Sequence, residues 1–212
     1  MGKHEKPGRK RRATAPVYTR GGDAGETYSP ALGRVRKDTP RVAANGAVDE
    51  LNCAIGEIIA RVEHSALTRS RTAAILRRLK RRQRELLVAG AIISGAVAST
   101  ARTRAAQRAN VRRLEREIDQ MAIDLPPLKG FILPGGDLAA SGAHLARAVC
   151  RRAERDCVAA SDDESFPREV LPHLNRLADW LFVLARWLAR AAGGEDESWR
   201  RPTRRKKAEN GR

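Results

Sequence analysis

The chain has 212 residues, a formal net charge of +17, and 42% hydrophobic residues of which few are aromatic. Its apolar content is therefore mostly Ala, Leu, Val and Ile, which favours packed helices over a β-sandwich. No apolar run approaches the roughly 20 residues of a membrane span, and the N-terminus has no apolar signal-peptide centre, so a one-domain cytoplasmic protein with no membrane partner is expected.

The charge is uneven along the chain. Residues 1–12 hold six Lys/Arg against Glu5, and residues 199–212 hold seven against Glu209. Both stretches have few apolar residues and are expected as basic disordered tails, over 1–16 and 193–212. They would solubilise the chain or bind a polyanion weakly. They carry no interleaved aromatics on which bases could stack.

Residues 17–38 read VYTRGGDAGETYSPALGRVRKD. Gly21, Gly22 and Gly25 let backbone N–H groups come close to a ligand, as phosphate-cradling loops do. Arg34, Arg36 and Lys37 add charge nearby. The stretch matches neither a Walker A motif nor a dinucleotide fingerprint.

Five helical stripes follow. The first is Val48, Leu51, Ile55, Ile58 and Val62. The second is Leu76, Leu79, Gln83, Leu86, Gly90 and Ile93. The third is Val111, Leu114, Ile118, Met121 and Leu125. The fourth is Leu138, Gly142, Leu145, Val149 and Ala153. The fifth is Leu174, Leu177, Leu181, Leu184 and Leu188. Strand-like alternation is absent. Stop signals lie at Pro126-Pro127, Pro134-Gly135-Gly136, Pro167, Pro172 and Gly193-Gly194. The pattern predicts an all-α, five-helix up-and-down bundle over residues 17–192.

Polar residues mark further faces. Asn45, Asp49, Asn52 and Gly56 form a second stripe on the first helix and suggest a face that meets something specific. Arg147, Arg151 and Arg155 share a face of the fourth helix, with Glu154 placed to orient Arg151. Arginine suits planar, bidentate contact with phosphate or carboxylate. A lone buried Asp or Arg costs several kcal/mol, roughly 3–5, so Asp49 calls for an arginine partner. Cys53, Cys150 and Cys157 lack a Cys-x-x-Cys spacing and are expected as buried, reduced thiols rather than zinc ligands. His144, His173, Trp180, Trp187 and Phe182 are expected in packing or a subunit interface.

The blocks YTRGGDAGET, VRKDTPRVAANGAVDELNCAIGE, LPPLKGFILPGGDLAASGAHLARAVCRRAER and PHLNRLADWLFVLARWLAR resemble the signature blocks of the trimeric ATP:cob(I)alamin adenosyltransferases, from about Tyr18 to Ala191. The resemblance implies a ferritin-like helical bundle. It implies transfer of the 5′-deoxyadenosyl group of ATP to the cobalt of cob(I)alamin, forming adenosylcobalamin and releasing triphosphate. It implies that Thr19, Arg20, Gly21, Gly22, Asp23, Gly25 and Thr27 wrap the triphosphate, with Lys37 neutralising its charge. Arg151, Glu154 and Asn175 would hold the nucleotide. Asp49 would pair with Arg147 across a subunit boundary, and Phe131 would wall the lower axial face of the corrin ring. Mg2+ would bridge phosphate oxygens, with no side-chain metal ligand. Sites between the subunits of a homotrimer, a flavin reductase and an adenosylcobalamin-dependent acceptor enzyme complete the implied partners.

The chain departs from the family in two places. The family loop Thr-Gly-Asp-Lys-Gly-Thr-Thr is here Gly21-Gly22-Asp23-Ala24-Gly25-Glu26-Thr27. Loss of a phosphate-facing lysine removes a charge-assisted bond of about 1.5–3 kcal/mol, and Glu26 would repel phosphate unless Arg20 or Arg34 offsets it. In the second helix, where the family carries Gln-Asn-Asp-Leu-Phe, this chain has Gln83-Arg84-Glu85-Leu86-Leu87. Two other readings stay open at this point: a corrinoid carrier blunted in its ATP loop, and a basic helical nucleic-acid-binding protein.

Overall fold

The computed structural model describes residues 18–199; the expected tail at 1–16 lies outside them, as does the 200–212 part of the expected tail at 193–212. The chain opens with a loop and a short antiparallel hairpin, β1 (Glu26–Ser29) and β2 (Gly33–Arg36), paired Glu26↔Arg36 and Tyr28↔Arg34. Strand alternation is therefore present, against the sequence expectation. Four-residue strands offer too few alternations to be told from a loop. Five helices follow: α1 (Pro40–Glu63), α2 (Arg69–Ser94), α3 (Ala101–Ala122), α4 (Leu138–Ala160) and α5 (Leu171–Ala191). A 3-10 turn, Arg168–Val170, leads into α5.

α1 packs on α2 and α4, and α5 packs on α4 and α3. The predicted stripes of α1 and α5 are buried throughout. That of α4 is not. Leu138 and Leu145 are exposed, while Ala139, Ala140, Ala143, Ala146, Cys150, Ala153 and Cys157 face the core. α4 sits between α1 and α5, and small side chains let the three axes approach closely. Of the predicted stripe, Gly142 and Ala153 are buried and Val149 packs on the core, while the two leucines point outward.

Caps and loops set the helix ends. Asp137 closes the Pro134-Gly135-Gly136 turn by accepting from the Ala140 N–H at 2.7 Å, which caps α4. Arg41, buried near the start of α1, donates to the Ile93 carbonyl at 2.6 Å and to Ser165 Oγ at 2.9 Å. It ties the start of α1 to the end of α2 and to the loop between α4 and α5. Past α5, residues expected in the C-terminal tail turn back: Leu133 N–H donates to the Glu197 carbonyl and Trp199 N–H to the Phe131 carbonyl, both at 2.8 Å.

Gly95 closes α2 in a left-handed conformation, φ 83°. A Cβ there would sit 2.5 Å from that of Ala31, whose N–H donates to the Ser94 carbonyl at 3.0 Å. The hairpin is thus seated directly on the end of α2. Gly95→Ala is expected to destabilise the fold by at least about 2 kcal/mol, read as a lower urea midpoint; an unchanged midpoint would sink this account of the seat.

A charged cluster fills the gap between α2, α3 and α5. Arg82 is fully buried and lies 3.1 Å from the Glu85 carboxylate and 3.8 Å from that of Glu117. Trp180 Nε1 donates to Glu117 at 2.9 Å, and Arg113 reaches Glu85 at 2.8 Å. Burial pushes the Glu85 carboxyl upward, but His173, Arg82 and Arg113 together hold it below the usual value. Trp180 and His173 are core residues, as expected. Among the described residues, no helix is long and apolar enough to cross a membrane.

Candidate functional site

The expected site residues fall into three groups. The first is the N-terminal loop. Its bends are closed by Asp23 N–H to the Arg20 carbonyl and Gly25 N–H to the Gly22 carbonyl. Lys37 follows β2, and its N–H donates to the Gly25 carbonyl at 2.9 Å. The Lys37 ammonium lies over Gly22, where an added Cβ would meet Nζ at 3.0 Å. Glycine at this position is what lets the ammonium rest on the loop backbone. Loop amides and a lysine charge therefore share one small surface, an arrangement that suits phosphate oxygens.

Glu26 does not leave a free negative charge there. Arg34 Nε binds its carboxylate at 2.7 Å, and Arg34 Nη2 donates to the Gly21 carbonyl at 3.0 Å. One guanidinium both offsets the added acid and ties down the loop. Arg20 is turned to Tyr18, 5.8 Å from the ring centroid, with φ 59°. Arg36 pairs with Asp38 at 2.6 Å.

The second group lies on α4 and α5. Asn175 Nδ2 donates to Glu154 Oε1 at 2.9 Å. This bond takes the carboxylate that the sequence assigned to orienting Arg151. Arg151 is exposed, and its backbone carbonyl accepts from Arg155 at 3.1 Å.

The third group surrounds a pocket of about 410 Å³, lined by Phe131, Ile132, Pro134, His144, Arg147 and Phe182. Phe131 is 80% exposed and meets Trp199 edge-on at 6.3 Å between centroids. The Arg147 guanidinium lies 5.9 Å from the Phe182 ring centroid. His144 is buried against Phe182; burial first, and then the Arg147 charge, push its pKa down and keep the imidazole neutral at pH 7. Phe182 is half-buried and lines this pocket, where core packing was expected. Its position beside fully buried Leu181 on an apolar helix hides that role in the sequence.

Asp49 and Arg147 form no ion pair with each other within the chain. Asp49 is exposed, and Arg147 Nε is buried without a hydrogen-bond partner. Among the described residues, the ion pair between α1 and α4 is instead Glu50 with Arg152. The stripe Asn45, Asp49 and Asn52 lines a groove of about 390 Å³ against Leu87 and Gly90 of α2. The sequence reading missed Arg41 and Trp199, whose partners are distant in sequence.

The cysteines bear no site. Cys150 and Cys157 are buried, which raises both thiols, Cys157 to about 12. Cys53 is exposed, against expectation. Among the described residues, no three His, Cys, Asp or Glu side chains cluster as metal ligands.

The cobalamin adenosyltransferase family model matches residues 17–188. A cobalamin adenosyltransferase of Cupriavidus metallidurans is 40% identical over 87% of this chain and 94% of its own length. A corrinoid adenosyltransferase of Bacillus subtilis is 37% identical over 87% and 92%. The structure of a variant PduO-type ATP:corrinoid adenosyltransferase from Lactobacillus reuteri, complexed with cobalamin and ATP, superposes with a TM-score of 0.77 at 32% identity, covering 87% of this chain and 97% of that one. The Gly-rich loop with its lysine, the Glu154–Asn175 pair and the Phe131 pocket stand on a fold shared along nearly the whole matched length, and the chain belongs to the cobalamin adenosyltransferase family.

Proposed function

We propose that this chain transfers the 5′-deoxyadenosyl group of ATP to the cobalt of cob(I)alamin, forming adenosylcobalamin and releasing triphosphate. The observation that carries the reading is the seat of Lys37 on Gly22, which joins a lysine charge to the bends of a glycine loop. Cob(I)alamin is itself a strong nucleophile, so no protein base is needed. The chain's task is to hold C5′ of ATP near cobalt and to stabilise the leaving triphosphate. Thr19, Arg20, Gly21, Gly22, Asp23, Gly25, Thr27 and Lys37 contact the phosphates. Arg151, Glu154 and Asn175 hold the nucleoside end. The exposed Phe131 ring covers the lower axial face of the corrin and keeps water from it.

Mg2+ bound together with ATP would neutralise charge on the leaving triphosphate. The reaction site forms between subunits of a homotrimer. Asp49 and Arg147, each without an ion-pair partner among the described residues, are complementary across such a boundary, and the exposed Leu138 and Leu145 supply apolar contact. A flavin reductase supplying cob(I)alamin and an acceptor enzyme taking the product are the expected partners, in the cytoplasm.

The test is an anaerobic assay with chemically reduced cob(I)alamin and Mg-ATP, following loss of the cob(I)alamin absorbance, with Arg151→Ala alongside. Turnover in the wild type that the variant loses is expected. No turnover at saturating ATP, with corrinoid still bound, would leave a carrier instead.

A further inference from the structure

The positive charge of the described residues is concentrated on one edge. α2 and α3 carry fourteen Lys/Arg against four Asp/Glu, whereas the rest of residues 18–199 carries fifteen against nineteen. Three of the four acids are already taken: Glu85 and Glu117 by the buried cluster and Glu115 by Arg176. Asp119 is the fourth, and it is exposed.

The arginines form a surface. Arg104, Arg108, Arg112 and Arg116 recur every fourth residue of α3 and are all exposed, a stripe of roughly 18 Å at 1.5 Å per residue. On α2, Arg77 and Arg84 are exposed on the side away from the core residues Ile75, Leu79 and Leu86. Arg78 donates to Gln120 at 3.0 Å and Arg113 to Glu85 at 2.8 Å, so long side chains bridge the two helices in antiparallel order. Among the described residues, none of these six exposed arginines is in an ion pair; Arg104 reaches Ser99 only.

We infer that the outer α2–α3 face binds the phosphate backbone of double-helical nucleic acid. Thirteen of its fourteen basic residues are arginines, the side chain matched to phosphate oxygens. Between residues 69 and 86 and between 98 and 122 no large apolar side chain is exposed; Leu87 and Val88 on the last turns of α2 and Ile123 at the end of α3 are exposed only at the margins of the face. A protein partner would need an apolar centre there, a membrane an apolar face to insert, and single strands an aromatic platform. A rigid double stripe of guanidiniums needs only a regular array of phosphates. The face lies across the bundle from α4, so association through α1 and α4 leaves it open. This role is independent of adenosyl transfer, and no residue of the proposed site takes part in it.

The test uses the full chain and a fluorescent duplex of about 25 base pairs, with binding followed by anisotropy between about 50 and 200 mM salt. The comparison is the variant Arg104→Gln, Arg108→Gln, Arg112→Gln, Arg116→Gln, which keeps both tails and helix-favouring side chains. Each phosphate contact adds about 0.9 to the slope of log K against log salt, so the variant is expected to lose roughly 3–4 in slope. Its helical circular dichroism and adenosyl-transfer rate should match those of the wild type. Three results would overturn the inference: no duplex binding by the wild type, an unchanged slope in the variant, or equal binding to polyglutamate or to phosphatidylserine vesicles.

Discussion

Glu117→Ala should cost about 3–5 kcal/mol of stability, the usual consequence of removing one partner of a buried charge cluster. The Glu117 carboxylate accepts the buried Trp180 indole N–H at 2.9 Å and faces Arg82 and Arg81 at 3.8 and 3.4 Å. Without it, Arg82 keeps Glu85 as its counter-charge, and the indole N–H loses its acceptor. Arg82 has no exposure through which water could compensate. A lost bond to a buried donor alone accounts for about 1–3 kcal/mol; the rest comes from leaving Glu85 as one carboxylate shared by Arg82 and Arg113. For a chain of this size the thermal midpoint would fall by roughly 10 °C. Glu117→Gln keeps an acceptor for Trp180 and should lose clearly less. A drop below about 1 kcal/mol for the alanine variant would mean that water enters the cluster and that the charges are not truly buried.

The second large effect is expected on catalysis. Lys37→Ala should lower kcat/KM for ATP by about 10- to 150-fold, the equivalent of one charge-assisted bond of about 1.5–3 kcal/mol. The lysine bears on the loop from the far side of the hairpin, and Ala24 supplies no second ammonium. Corrinoid binding should be unaffected, because Phe131 and Arg147 line a separate pocket. Arg34→Gln is the companion measurement. It frees Glu26 and releases the Gly21 carbonyl, so KM for ATP should rise without loss of corrinoid binding. If Lys37→Ala left kcat/KM unchanged, the phosphates would not lie on this loop.

The bundle was legible because its longest apolar stripes have a clean helical period, as in Leu174 to Leu188. α4 shows where the reading broke down. Two stripes compete on it, one of leucines and one of alanines and cysteines. Close packing between two neighbours selected the smaller side chains, while bulk drew the sequence reading to Leu138 and Leu145. The site was legible in part. The loop glycines and Lys37 are close in sequence, and their meeting follows from a short hairpin. The Glu26–Arg34 bond depends on the register of that hairpin, which four-residue strands do not announce. The Arg82 cluster was hidden for another reason: in RRLKRRQRE a buried arginine looks like its solvated neighbours, and only the positions of α3 and α5 distinguish it.

The strand partner of Phe131 bears on how the protein is handled. Glu197 and Trp199 clasp residues 131–133, yet the family match stops at residue 188. A shortened clone drawn to that boundary would keep all but the last two residues of the signature blocks and still release the Phe131 segment from its clasp. Expression trials of trimmed versions should therefore retain at least Trp199, and an affinity label fused just behind it would hang beside the Phe131 pocket.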